Sequence, residues 1–395
     1  MFARAIGLIL LLVLSACSTV RPQGDGQASD SVLPGAARGT ASEITLASAR
    51  SAEDLLSKGL LDPAQTSSGM EKRALFRARR IDWGNHEWLS EKLPGEIRVH
   101  SLPVGAGSCH LIECPGPDSD PLVVDCGSTG GAQMSPEDIE GYLRSAIGEG
   151  SPKVVISHGD ADHSNFLPRV LPPPRVRSLW LGGAHAEYPA AVLTWANAVR
   201  DLGDHQWPRV TEEFEPNWHN DGRAVEELAC GEAKTFALTV NSGSSKNANS
   251  LMLSVDHGDF RIIFSGDAEG TTERAAMENF PEPGVLVSTV VVSSHHGAQS
   301  EESNHAEWIA ATQPLVVVHS AGTKFGHPKC PVVKRFQDGG SLLPATPHDM
   351  SCGGLPAYAS ALAEYNTHES GAVVVTSDAS LDSLRVECFP EPCSD

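Results

Sequence analysis

The residues best suited to chemistry stand in one short run, His158-Gly159-Asp160-Ala161-Asp162-His163, which places four nitrogen or oxygen donors within six positions. Imidazole mixed with carboxylate suits zinc, manganese or iron(II) better than calcium, which takes oxygen ligands. A single His-x-Asp would read as a solvated polar turn. Four donors directly behind the apolar Val154-Val155-Ile156 read instead as a metal site. Other donors recur in the same setting. Asp125 follows Leu122-Val123-Val124, Asp267 follows Phe260 to Phe264, and the pair His295-His296 follows the run ending at Val292. His327 comes after the run ending at Val318. Each would be bland alone, but strand ends gathered on one rim converge, and distance along the chain then ceases to matter.

The elements that must position these donors are legible. Three β-branched residues in a row suit a strand buried on both faces, so the ligand run sits at its carboxyl end, where open α/β sheets place their sites. The segment from Glu96, with Ile97, Val99 and Ser101 alternating, then Val104-Gly105-Ala106-Gly107 and the run from Cys109 to Glu113, predicts a hairpin. A helix is predicted over 136–147, with Ser135 as its cap and Glu137 and Asp138 in the first turn. The strand, helix, strand order that results is that of a layered α/β domain. Further strands are expected at 176–181, 236–240, 251–255, 260–264, 287–292 and 315–318, with a closing hairpin over 372–388. The stretch between Leu181 and Asp221 reads as loose; it holds His185, His205 and His219, each more often a packed or surface histidine than a ligand.

Taken in order, the motifs resemble the metallo-β-lactamase superfamily, and within it the metallo-hydrolase domain of ComEC/Rec2 competence proteins. They are Asp125-Cys126-Gly127, His158 to His163, Asn249-Ser250-Leu251 with Ser265-Gly266-Asp267-Ala268-Glu269, His295-His296-Gly297 and Gly326-His327-Pro328. Coverage runs from about Glu96 to Cys388. The resemblance implies an αββα sandwich, two mixed sheets face to face with helices outside. It implies that Asp125 orients the site, that His158 and Asp160 bind one metal, and that Asp162 and His163 bind a second. Asp267 would bridge the two, one of His295 and His296 would complete the second site, and His327 would contact substrate or protonate the leaving group. The cofactors implied are two divalent metals, zinc first, with manganese or iron as alternatives. Two departures stand out: Asp160 replaces the superfamily's second histidine, and no third-motif histidine is secure, His185 being the best candidate.

Composition bounds the partners. The 395 residues include 29 Lys and Arg against 50 Asp and Glu, a formal charge of -21, which excludes a broad nucleic-acid-binding face. The chain opens with Arg4 and an apolar stretch from Ile6 to Leu14, too short to span a bilayer, ending in Leu14-Ser15-Ala16-Cys17. That ending resembles a bacterial lipoprotein signal, implying cleavage before Cys17, lipidation of Cys17 and a membrane contact through the lipid. Residues 18–51 read as a flexible tether, 52–95 as a helical cap and 96–395 as the catalytic domain. Removing Cys17 from the 9 cysteines leaves an even number, which export makes more prone to disulfides than to thiolate ligation. Cys388 and Cys393 are close enough for one small terminal loop.

The expectation is an exported, lipid-anchored, metal-dependent hydrolase, using a metal-bridging hydroxide on a small-molecule or cell-envelope phosphoester. A lactone, ester or β-lactam hydrolase of the same fold, and a non-catalytic surface lipoprotein with a degenerate site, are the rival readings.

Overall fold

The computed structural model describes residues 81–117, 119–202, 214–390 and 393. Cys17, the tether, both helical patterns of the cap and His205 lie outside the described residues. Residues 81–95, the described part of the cap, run as turns.

Two mixed sheets form the centre. The chain enters the first with β1 (Ile97–Ser101), β2 (Cys109–Glu113), β3 (Leu122–Cys126), β4 (Lys153–Ile156) and β5 (Ser178–Leu181). It builds the second from β6 (Lys234–Thr239), β7 (Met252–His257), β8 (Phe260–Phe264), β9 (Val290–Val292) and β10 (Val316–His319). A separate hairpin joins β11 (Pro344–Met350) to β12 (Tyr358–Leu362). Then β13 (Glu364–Asn366) adds to the second sheet, while β14 (Ala372–Ser377) and β15 (Arg385–Phe389) return to the first. The resulting orders are β15-β14-β1-β2-β3-β4-β5 and β13-β10-β9-β8-β7-β6.

Alternation explains the layering. In β1 and β3, Ile97, Val99, Leu122 and Val124 face the second sheet's Val255, Ile262, Phe264 and Val290 in one apolar core. The intervening Val123, with Val154, Ile156 and Leu179, faces outward. It meets α1 (Pro136–Ile147), α3 (Leu167–Val170) and α4 (Ala190–Asp201), while the short α2 (Ala161–Ser164) stands beyond the end of β4. On the far side Met252, Ile263 and Val291 pack on α5 (Gly270–Asn279) and α6 (Ala306–Thr312), while Val317 packs on α7 (Cys330–Asp338). The result is the four-layer αββα sandwich. Helix α1 begins as its sequence dictates, with Ser135 and Asp138 exchanging bonds in a capping box.

The strands that carry the donors are parallel to one another within each sheet: β3, β4 and β5 in the first, and β8, β9, β10 and β13 in the second. Their carboxyl ends therefore share an edge, and the donors meet there. The described residues form four disulfides: Cys109–Cys126 between the paired strands β2 and β3, Cys114–Cys230, Cys330–Cys352 and Cys388–Cys393. The last is the small terminal loop expected from spacing.

Candidate metal centre

A bulge aims the first carboxylate. Opposite β2, the pairing passes from Cys109↔Cys126 to His110↔Val124, so Asp125 is the extra residue, and it adopts a left-handed φ of 55°. Its side chain thus leaves the sheet and turns under the His158–His163 run. Oδ1 accepts from the Ser157 amide at 2.7 Å, and Oδ2 accepts from Ser157 Oγ at 2.9 Å and lies 2.8 Å from His163 Nδ1. Burial pushes this carboxyl up, but the His163 imidazole, its hydrogen bond and the Ser157 amide outweigh that and hold it below the usual range.

Three histidines are oriented alike. His163, on α2, spends Nδ1 on Asp125. His296 spends Nδ1 on the Ser320 carbonyl at 2.7 Å, and His158 has Nδ1 3.1 Å from Ser157 Oγ. A carbonyl only accepts, so the proton of His296 sits on Nδ1 and its Nε2 lone pair is free. This is how metal-ligating histidines are commonly held. The opposite ring nitrogens converge on Asp267. Its Oδ1 lies 3.0 Å from His163 Nε2 and 3.3 Å from His296 Nε2, and those two nitrogens are 3.3 Å apart. Its Oδ2 lies 3.9 Å from His158 Nε2 and 3.6 Å from His295 Nε2. Gly266, at φ 54°, lets the chain turn here; a Cβ on it would come within 2.7 Å of Ser157 Cβ.

The donors fit divalent ions. His158 Nε2, which faces Asp267, is buried without a hydrogen-bond partner, a costly state that a cation relieves. Among the described residues two groups have mutually close ligand atoms: His158, His163 and Asp267, and Asp162, His163 and His296. Burial opposes charge on His163, yet Asp267 and Asp125 raise its pKa well above the ordinary value. Without an ion His163 is thus held as an imidazolium between the two carboxylates, and a metal ion at this point would take the place of its Nε2 proton.

The donors expected from the motifs divide between two sides of Asp267. Asp162, His163 and His296 come together on one side, with Asp162 Oδ2 3.9 Å from His296 Nε2. On the other side Asp160 Oδ2 lies 3.7 Å from His158 Nε2, while its Oδ1 is held at 3.1 Å by Lys246 Nζ. The contact with His158, then Lys246, lowers the Asp160 carboxyl to about 2. The two adjacent histidines part company because both are left-handed, at φ 50° and 57°. His296 reaches the Asp162 side, whereas His295 reaches Oδ2 and lies 3.4 Å from Asn247 Nδ2. His185 belongs to neither ligand group, and His219 pairs with Asp221 at 3.5 Å. His327 stacks nearly parallel to His296, with centroids 6.4 Å apart. Burial, then His296 and Lys329, push its imidazole down to about 3, so it meets the cluster as a neutral ring.

Three contributors were not evident from the sequence: Lys246 and two hydroxyls. Ser157 bonds Asp125, and Ser250 accepts from the Asp267 amide at 3.0 Å. Lys246 and Ser250 flank the Asn247-Ala248-Asn249 turn, which overlaps a recognised motif, and that proximity was the available signal.

No family model matches the chain. Over 127 residues, 30% of this chain, it is 32% identical to ComE operon protein 3 of Bacillus subtilis (strain 168), and that match spans 16% of the relative's length. Among solved structures it is similar to the metallo-beta-lactamase fold protein YhfI of Bacillus subtilis, at 12% identity and TM-score 0.42, covering 71% of this chain and 100% of that one. The chain is similar to metallo-β-lactamase fold proteins. A second neighbour is CmlA, a diiron β-hydroxylase from Streptomyces venezuelae, at 15% identity and TM-score 0.41, covering 73% and 55% of the two chains. A third is Igni18, a metallo hydrolase from Ignicoccus hospitalis, at 12% identity and TM-score 0.36, covering 62% and 93%.

Proposed function

We propose that the chain is an exported, lipid-anchored, metal-dependent hydrolase that cleaves a phosphodiester or related phosphoester. The observation that carries this reading is the division of Asp267, with Oδ1 towards His163 and His296 and Oδ2 towards His158 and His295. A carboxylate so placed is suited to bridging two ions. Zinc fits the mixed nitrogen and oxygen set best, with manganese or iron as the alternatives. Asp162, His163 and His296 would hold one ion, and His158, Asp160 and Asp267 the other, with His295 the nearest further nitrogen. When bound, such ions supply Lewis acidity and a nucleophilic water at neutral pH.

The chain's own residues favour an anionic substrate. In a protein of charge -21, Lys246 stands at Asp160, and Lys324 and Lys329 stand beside Phe325 and His327. Lys246 bonds Asp160, Lys329 acts on His327, and Lys324 lies 4.7 Å over the ring of Phe325, itself 6.0 Å from His327. A local cationic rim on an acidic body attracts a small phosphoester without holding a long polyanion. His327 stands beside it as a neutral ring. The four disulfides support an oxidising, exported location, which suits lipidation at Cys17 and a cell-envelope substrate.

The test is turnover of bis-p-nitrophenyl phosphate by zinc- or manganese-loaded protein beside Asp162→Ala and Asp267→Ala. Equal turnover by all three would sink the proposal. Turnover of lactones or nitrocefin, with diesters untouched, would replace it with carbonyl hydrolysis. Less than one tightly held metal per chain would point to a binding lipoprotein.

A further inference from the structure

The loop that presents both adjacent histidines is in an unfavourable conformation that something must hold. Within ten residues, His295, His296, Glu301, Glu302 and Asn304 all have φ between 50° and 61°. Left-handed backbone is costly for residues with a Cβ, and runs of it persist only where the surroundings over-determine them. The restraint is a side chain outside the recognised motifs. Glu273, on α5, is fully buried, and α5 begins three residues beyond Asp267. Its Oε1 accepts from Ser294 Oγ at 2.6 Å and from the Asn304 amide at 2.7 Å, and its Oε2 accepts from the His305 amide at 3.1 Å. Asn304 completes the closure. Its Oδ1 accepts from the Ser294 amide at 3.0 Å, and its Nδ2 donates to the carbonyls of Ser294 and Ala298 at 2.8 and 2.9 Å.

We infer that Glu273 is a positioning residue for the metal centre: it bolts the loop carrying His295 and His296 to the helix that follows Asp267. Both ends of the loop, Ser294 and Asn304–His305, reach the same carboxylate. The His295 amide also donates to the Gly266 carbonyl at 2.9 Å, and Ser303 Oγ donates to the Ala268 carbonyl at 2.8 Å, so the two ligand loops meet along their length. Glu273 touches no candidate ligand and acts only through their backbone. Its role as a positioner of metal ligands rests on the proposed metal centre; its clamping of the loop does not.

The experiment compares wild type with Glu273→Gln, which replaces one oxygen by an NH2 with two protons to place among three donors, and Ser294→Ala, which removes one bond without burying an unpaired group. Two readouts are taken. Without metal, hydrogen exchange of the Asn304 and His305 amides and the imidazole shifts of His295 and His296 report the loop. With cobalt(II), the visible spectrum and the dissociation constants report the centre. The expected result is a fold retained by circular dichroism, faster exchange in both variants, and a loss of metal affinity of about 10-fold or more in Glu273→Gln, the range seen for groups that orient ligands. Wild-type affinity and spectrum in both variants, whatever the melting temperature does, would overturn the inference. A wild type that binds no cobalt would sink the proposed function alone, with amide exchange still deciding the clamp. Should Glu273→Gln fail to fold, Ser294→Ala decides both.

Discussion

Asp125 Oδ2 lies 2.8 Å from His163 Nδ1, at the base of the site. The opposite nitrogen of that ring is 3.0 Å from Asp267 Oδ1, so one imidazole is gripped on one side and presented on the other. Asp125→Asn is informative because Asn also tolerates left-handed backbone. With one oxygen the amide cannot accept from the Ser157 amide on one side and from Ser157 Oγ and His163 on the other, as the carboxylate does. Zinc affinity, measured by dialysis against a competing chelator, is expected to fall about 10- to 100-fold with the fold retained; unchanged affinity would remove Asp125 from the site.

Lys246 Nζ lies 3.1 Å from Asp160 Oδ1, where it would compete with any metal ion held by that carboxylate. It is half-exposed, so the pair contributes little to stability. Lys246→Met is expected to leave the melting temperature within about 1 °C, in keeping with a near-zero contribution. The same change should tighten the second equivalent of metal by a few-fold and raise KM for an anionic diester more than it lowers kcat. Tightening without the KM change would leave Lys246 as a partner of Asp160 only.

Stability should depend on pH through Glu273. Burial pushes its carboxyl up to about 8 against the opposing pull of Ser294, Asn304 and His305. A folded-state pKa above the unfolded one means that the folded chain holds a proton the unfolded chain has released. The contribution is fully present below the ordinary value of 4.5 and is lost as pH rises through about 8. Urea midpoints of the chelated protein should therefore show the advantage of wild type over Glu273→Gln narrowing from about pH 5 to about pH 8.5, by the linkage relation. A gap that stays constant with pH would contradict this.

Cys330–Cys352 ties the turn after His327 to the Gly353-Gly354 turn, where the Gly353 amide donates to the Pro328 carbonyl at 2.8 Å. Closing a loop of this size constrains the unfolded chain by about 3 kcal/mol. Replacing both cysteines with serine should lower the unfolding free energy by about that amount and raise KM, with metal content unchanged. Loss of metal would show that the bridge reaches further than the His327 wall.

Much of the fold could be read along the chain because it rests on local signals. The 136–147 helix carries its cap and acidic first turn in consecutive residues, and β4 and β9 are plain β-branched runs. Helix α4 is hidden in a stretch that reads as loose, although Val192, Trp195, Ala196 and Val199 repeat at helical spacing and are all buried. Strand β13, Glu364-Tyr365-Asn366, has no apolar run to announce it and exists because β10 offers a parallel edge.

The sequence by itself determined the donor types, their order and their placement at strand ends, since apolar alternation and short turns are properties of neighbouring residues. Only the tertiary structure decided which donors face one another. Ring direction at His295 and His296 depends on left-handed backbone held by Glu273, whose carboxylate meets Asn304 across 31 positions. Lys246 meets Asp160 across 86 positions, and Cys114 meets Cys230 across 116. Contacts of that range are set by which sheet edges and loops pack together, and no local pattern encodes them.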